Sequence, residues 1–222
     1  MLFRDRVHAG RELARRLARY AGRDDAIVLA LPRGGVPVGF EIAKALRAPL
    51  DVFVVRKLGL PDQPELAIGA IASGGVRVVN EDVTRPLGVG PEVLDEVAAL
   101  EQVVLERRER SFRGDRPAPF VRGRIVILVD DGLATGSTMK AAVQALRMQE
   151  PGRIVVAVPV GAAETCAELR HRADEVVCLE TPEPFLAVGS WYDDFRQTAD
   201  EEVQRLLEQA ADVRCGGGAT GP

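Results

Sequence analysis

The spacing of apolar residues switches along the chain between two patterns, one typical of buried strands and one typical of helices. Short unbroken apolar runs predict strands buried on both faces, at 26–31, 50–55, 125–129, 154–159 and 175–179. Between them, apolar residues recur every three or four positions, which predicts helices, at 6–20, 36–46, 91–112, 139–149, 162–172 and 199–211. This alternation is typical of an α/β fold with an open, mostly parallel sheet flanked by helices.

The chain is long enough for one sizeable core. It has 222 residues, of which 46% are hydrophobic, so we expect a single domain over residues 1–213. Residues 67–72 and 76–79 flank Ser73-Gly74-Gly75 and predict a hairpin. The long charged helix predicted within 82–120 suggests a solvent-facing insertion, and the Gly-rich residues 214–222 suggest a disordered tail.

Charge and composition exclude several classes of function. The net charge of -4 gives no general attraction to nucleic acid or to an anionic membrane. Three well-separated cysteines form neither a disulfide framework nor a zinc site. We find no signal peptide and no membrane-spanning segment, so we expect a cytoplasmic protein. His8 and His171 lie in predicted helices and are expected to be structural.

The most specific chemical signal follows the apolar run 125–129. Asp130 and Asp131 come directly after this strand, and the residues Ala134-Thr135-Gly136-Ser137-Thr138 then open a helix. Open α/β sheets bind ligands at the carboxyl ends of strands, and a helix N-terminus favours phosphate. Each piece alone also fits a plain turn or a helix cap. Joined in the fifteen residues 124–138, they predict a sugar-phosphate site.

This stretch resembles the signature with which type I phosphoribosyltransferases bind phosphoribosyl pyrophosphate (PRPP). The resemblance implies that Asp130 and Asp131 hold the ribose 2′ and 3′ hydroxyls. It further implies that the 5′-phosphate is wrapped by Ala134, Thr135, Gly136, Ser137 and Thr138. The fold of that superfamily, with a small hood at 180–198, is implied as well.

The first strand-helix junction carries a second signal, Pro32-Arg33-Gly34-Gly35. Two glycines let the backbone approach a ligand, although a tight turn has the same composition. Phosphoribosyltransferases place their pyrophosphate loop at this junction, and Arg33-Gly34 followed by Gly39 and Ala43 resembles adenine phosphoribosyltransferases. Pro32, Arg33, Gly34 and Gly35 are therefore expected to bind pyrophosphate. Members of that family often have a non-proline cis peptide here.

Arg56 and Lys57 end the second apolar run. Such a pair is also common at a solvated strand end. The pattern Arg-Lys-x-Gly-x-Pro resembles the segment before the mobile catalytic loop of adenine phosphoribosyltransferases. It implies that Arg56 and Lys57 neutralise the leaving pyrophosphate, with Lys57 as the main catalytic cation. Residues 59–66 would form a short lid that excludes water, with Glu65 as an acid or base.

The segment 184–195 is rich in aromatic residues and holds the single tryptophan. Such density usually indicates core packing. Phe-x-x-Val-Gly followed by an aromatic-acidic run resembles the hood of hypoxanthine-guanine phosphoribosyltransferases. This implies that Phe185 or Trp191 stacks the acceptor, and that Asp193 or Asp194 offers a polar contact or a Mg²⁺ ligand.

The implied activity is transfer of ribose 5-phosphate from PRPP to a nitrogenous base in nucleotide salvage. Mg²⁺ is the implied cofactor, with Asp130, Asp131 and Asp193 as its ligands. The base itself is not identified, because Ala134 stands where 6-oxopurine enzymes have an aspartate and adenine and orotate enzymes have alanine. Homodimers are common in the family, but no interface is specified.

Two other classes of function compete with this one. A PRPP-binding or nucleotide-binding regulator without transferase activity is the alternative, since the same cradle would serve it. A Rossmann dinucleotide enzyme is disfavoured, because Gly-x-Gly-x-x-Gly does not follow the first strand.

Overall fold

The computed structural model describes residues 2–215 and the side chains of residues 2–212. The elements in chain order are α1 (Arg6–Arg16), β1 (Ala26–Ala30), α2 (Gly35–Leu46), β2 (Leu50–Val52), β3 (Val55–Leu60), β4 (Gln63–Ala72), β5 (Val76–Val79), α3 (Glu81–Thr84), α4 (Pro91–Arg113), β6 (Ile125–Val129), α5 (Ser137–Met148), β7 (Arg153–Val160), α6 (Ala163–Arg170), β8 (Glu175–Glu180) and α7 (Asp200–Cys215).

The main sheet has five parallel strands in the order β2-β1-β6-β7-β8. Successive strand residues point to opposite faces, and both faces are covered. Val28 and Ala30 pack in a cluster with α1, α2, α4 and α7, whereas Ile27 and Leu29 pack with α5 and α6. The predicted parallel sheet flanked by helices is therefore confirmed.

The second predicted strand, 50–55, is wrong in its extent. β2 ends at Val52, and the chain then enters a separate antiparallel sheet of β3, β4 and β5. The predicted hairpin is confirmed as β4 and β5. Residues 59–66, expected as a loop, are instead the far end of the β3–β4 hairpin, with a turn at Pro61 and Asp62. Pairing between the strands satisfies backbone groups that a loop would leave to water.

Helix α4 is not only a solvent-facing element. Its inner face packs with the main core through four buried apolar residues, Leu94, Ala98, Leu105 and Phe112, while its outer face is exposed. At the other end of the chain, α7 extends through Cys215, so the first two residues of the predicted tail are helical. The rest of that tail, 216–222, lies outside the described residues.

The first helix is shorter than predicted. α1 ends at Arg16, and residues 18–20 form a short 3-10 turn. Within residues 2–215, none of the helices combines the length and apolar character needed to cross a membrane.

Candidate active site

Residues from separate stretches of sequence meet at the carboxyl edge of the main sheet. From β1 the order continues to β2 on one side, and from β6 it continues to β7 and β8 on the other. The switch point of the strand order therefore lies between β1 and β6, where ligands of open α/β sheets bind. The loop 32–35 follows β1 and the acid pair Asp130 and Asp131 follows β6, so both lie at this point.

Both carboxyl groups of the acid pair have raised pKa values. The backbone N–H of Asp131 donates to Oδ1 of Asp130 at 2.9 Å. Burial raises the pKa of Asp130 well above its ordinary value, and the charge of Asp131 adds to that effect. Burial also raises the pKa of Asp131, although Arg6 opposes it. Carboxylates whose pKa values are shifted by burial and by each other are typical of functional sites.

Arg6 joins the acid pair from α1, 125 residues away in the chain. Its Nε and Nη2 both lie 2.8 Å from Oδ2 of Asp131, and its Nη1 donates to the backbone oxygen of Arg196 at 2.7 Å. Its guanidinium carbon lies 3.9 Å from the centre of the Phe195 ring. Arg6 thus ties Asp131 to the hood. Sequence reasoning missed it, because an arginine at a helix start is no signal for a site.

The hood contacts the site through Tyr192, a residue not assigned to it from sequence. The Tyr192 hydroxyl donates to the backbone oxygen of Asp131 at 2.6 Å. The pKa of Tyr192 is raised, mainly because the side chain is buried and to a smaller extent because of the charge of Asp131. Phe185 and Trp191, the predicted acceptor-stacking residues, are partly buried and pack against the cluster that Tyr192 forms with Phe3.

The predicted pyrophosphate loop lies directly against the acid pair. A Cβ atom on Gly34 would lie 1.9 Å from Oδ2 of Asp131, and one on Gly35 would lie 2.7 Å from the Val129 oxygen. These glycines are therefore required by close approach. The Pro32–Arg33 peptide bond is cis, as the family resemblance predicts. Arg33 faces Asp200 at the start of α7, with a distance of 3.4 Å from Nη1 to Oδ1.

The predicted phosphate cradle forms the entry to α5. Gly136 has φ of +65° and caps the helix, and no side chain occupies the capping position. The first backbone N–H groups of α5 are thus free for a phosphate. Thr165 of α6 donates its hydroxyl to the Ala134 oxygen at 2.7 Å, which holds the loop. The hydroxyls of Thr135 and Ser137 are exposed and 3.4 Å apart.

The predicted cations lie on β3. Arg56 is partly buried and pairs with Glu101 of α4, whereas Lys57 is exposed. Arg56 also lines a pocket of about 210 Å³ together with Pro32, Thr138 and Arg108. Glu65 is exposed near the end of the β3–β4 hairpin. The structure therefore brings Arg56 to the loop 32–35 and places Lys57 and Glu65 at the solvent side.

The donor set of the acid pair suits Mg²⁺. This ion binds proteins through one or two carboxylates and takes its other ligands from water and substrate phosphates. Within residues 2–212, no group of three or more His, Cys, Asp or Glu side chains is placed to hold a metal ion. Asp193, the third predicted ligand, is exposed in the hood. Asp130 and Asp131 thus fit a metal ion that arrives with phosphate oxygens.

Two known proteins are similar to most of this chain. Rv0571c of Mycobacterium tuberculosis (strain H37Rv), described as a candidate phosphoribosyl transferase, is 52% identical over 209 residues, which are 94% of this chain and 47% of that protein. The chain thus spans about half the length of the curated relatives it matches. The crystal structure of TT1426 from Thermus thermophilus matches with a TM-score of 0.83 and 44% identity, covering 94% of this chain and 99% of the other.

A family model covers most of the same stretch. It is described as a phosphoribosyl transferase domain, and it matches residues 4–194, which include the acid pair, the two-glycine loop and the phosphate cradle. The chain belongs to the phosphoribosyltransferase family.

Proposed function

We propose that this chain is a Mg²⁺-dependent enzyme that transfers ribose 5-phosphate from PRPP to a nitrogenous base and releases pyrophosphate. The observation that carries this proposal is the contact of Gly34 with Asp131 at the strand switch point. This approach sets the loop 32–35 beside the two carboxylates, and Thr138 at the start of α5 lines the same pocket as Pro32 of that loop. Under this proposal the reaction is a cytoplasmic step of nucleotide salvage.

Binding of PRPP would use both ends of the molecule. The N–H groups and hydroxyls of residues 135–138 would bind the 5′-phosphate, and the ribose hydroxyls would donate to Asp130 and Asp131. The loop 32–35, Arg56 and Lys57 would bind pyrophosphate. Binding energy from the remote phosphate then orients the reacting carbon.

The transfer step exchanges one bond at C1 of the ribose for another. The lone pair of the base nitrogen forms the new bond to C1 while the C1–O bond breaks, and the electrons of that bond leave with pyrophosphate. The proton of the attacking nitrogen goes to water or to Glu65 on the β3–β4 hairpin. Asp130 and Asp131 stabilise the positive charge that develops on the sugar, and arginine and lysine side chains stabilise the leaving group. Bound Mg²⁺ would neutralise oxygens of the pyrophosphate.

The acceptor would bind under the hood. Phe185 and Trp191 are the proposed stacking residues, and both are partly buried. The far end of the β3–β4 hairpin, residues 59–66, would close over PRPP and exclude water, which would otherwise hydrolyse the activated sugar.

A regulator that binds PRPP without transferring the sugar is the second candidate. Two ion pairs favour it, because Arg6 neutralises Asp131 and Glu101 neutralises Arg56. The proposed transfer needs the charges of Asp131 and Arg56, whereas a sensor could keep both residues paired.

The test is Mg²⁺-dependent pyrophosphate release from PRPP across a panel of purine, pyrimidine and pyridine bases, with Asp131→Asn as the blank. Release with one base, lost in the variant, would support transfer and identify the acceptor. Binding of PRPP in a thermal-shift assay without release for any base would support the regulator. Absence of both binding and release would contradict the two proposals together.

A further inference from the structure

Helix α4 carries two charged residues in the stripe that faces the core. Residues spaced alternately by three and four positions share one face of a helix. In α4 this stripe contains Leu94, Ala98, Glu101, Leu105, Arg108 and Phe112. Its four apolar members are buried and its two charged members are partly buried. Charge in the middle of a core-facing stripe is costly unless it has a partner or a purpose.

The two charges reach the pyrophosphate side of the site. Glu101 pairs with Arg56 of β3. Arg108 lies one heptad further along α4 and lines the pocket of about 210 Å³ whose other walls include Pro32, Arg56 and Thr138. Pro32 belongs to the predicted pyrophosphate loop and Thr138 to the predicted phosphate cradle. The pocket therefore joins the two phosphate-binding segments of the site.

Arg108 differs from the other arginines near this pocket in its charge balance. Arg33 pairs with Asp200 and Arg56 pairs with Glu101. Among the described side chains, Arg108 has no carboxylate partner, and its guanidinium carbon lies 5.6 Å from the centre of the Phe112 ring. A guanidinium presents a planar set of donors that matches two phosphate oxygens at once. An arginine without a carboxylate partner, placed at this pocket, is thus suited to an anion.

We propose that Arg108 binds the pyrophosphate group of PRPP, and that α4 is the element that completes the leaving-group site. Glu101 fixes Arg56 at the rim of the pocket, while Arg108 contributes the positive charge that no carboxylate cancels. This inference rests on the proposed function, and it assigns to the 82–120 region a part in ligand binding.

The experiment is a calorimetric titration of the whole chain in Mg²⁺ with inorganic pyrophosphate and, separately, with ribose 5-phosphate. Arg108→Gln should weaken pyrophosphate binding by at least about tenfold, the effect of losing hydrogen bonds to a charged group. Binding of ribose 5-phosphate should be unchanged, because that ligand lacks the pyrophosphate. Arg107→Gln is the matched control, since Arg107 precedes Arg108 in α4 and is exposed.

Each outcome decides one of the two questions. Equal pyrophosphate affinity in wild type and Arg108→Gln overturns the role of Arg108 and leaves the proposed function intact. Equal weakening by Arg107→Gln also overturns it, because a general loss of charge would then explain the effect. A wild-type chain that binds neither pyrophosphate, ribose 5-phosphate nor PRPP overturns the proposed function itself. Should Arg108→Gln unfold, Arg108→Met keeps an apolar stem beside Phe112 and gives the same test.

Discussion

The dipeptide Asp-Asp occurs at the end of β6 and again in the hood, in opposite surroundings. At the end of β6, burial raises the pKa of both Asp130 and Asp131. In the hood, Asp194 accepts hydrogen bonds from the Arg196 guanidinium at 2.6–3.0 Å. These bonds lower the pKa of Asp194 to about 2. An aspartate is therefore hard to ionise in one place and easy to ionise in the other.

The difference lies in where each pair finds its counter-charge. The main partner of Asp194 is Arg196, two residues away, so local sequence supplies most of its counter-charge. The partner of Asp131 is Arg6, which α1 brings from 125 residues away. A carboxylate that depends on the whole fold for its partner is held in position as well as desolvated. This is the condition expected of a group that works on a substrate.

The largest effect on activity should come from neutralising the acid pair at the end of β6, compared with neutralising the pair in the hood. We expect Asp130→Asn with Asp131→Asn to lower kcat/KM for pyrophosphate release by about 10²–10³-fold, because the charge that stabilises the developing cation is removed. The same double change at Asp193 and Asp194 should leave the rate close to that of wild type. A comparable loss in the hood variant would mean that the hood acids also act on the substrate or its metal ion.

A smaller effect should follow from removing the two counter-charges. Arg6 lowers the pKa of Asp131 against the effect of burial, so Arg6→Ala should raise that pKa. The acid limb of the pH profile of kcat/KM should then move to higher pH. Arg196→Ala is the matched change in the hood and should leave the profile in place. An unmoved acid limb in Arg6→Ala would show that the ionisation of Asp131 does not limit the rate.

The same contrast explains what the sequence could predict. The parallel strands, the acid pair, the two-glycine loop and the phosphate cradle all follow from short contiguous patterns. Gly34 meets Asp131 because each follows one of two neighbouring strands, which the strand pattern implies. These parts of the fold and the candidate site were predictable because local sequence and strand order determine them.

Arg6, Tyr192 and Arg108 could not be found in this way. Each reaches the site from an element whose position depends on long-range packing, namely α1, the hood and α4. The break after Val52 was missed for a similar reason. Apolar character continues through the residues 53–55, but the strand pairing changes from the parallel sheet to an antiparallel one. The spacing of apolar residues shows which positions are buried, but it does not show which strand they pair with.

The smallest effect should appear in stability and should differ between the two pairs. The folded-state pKa of Asp130 is raised, so its contribution to stability is full below the ordinary carboxyl pKa and is lost as pH rises through the folded-state pKa. Asp130→Asn should therefore stabilise the protein near pH 8 by about 1 kcal/mol, and the gain should shrink toward pH 4. Asp194 has a lowered pKa of about 2 and contributes stability that is lost as pH falls through that value. Asp194→Asn should accordingly give no gain at pH 8.

Urea unfolding of both variants between pH 4 and 8 measures the two slopes. A gain for Asp130→Asn that is the same at both ends of this range would mean that packing, rather than ionisation, limits stability at the end of β6. A gain that grows with pH, joined to the loss of activity, would mean that the acid pair is retained for its chemistry at the expense of stability.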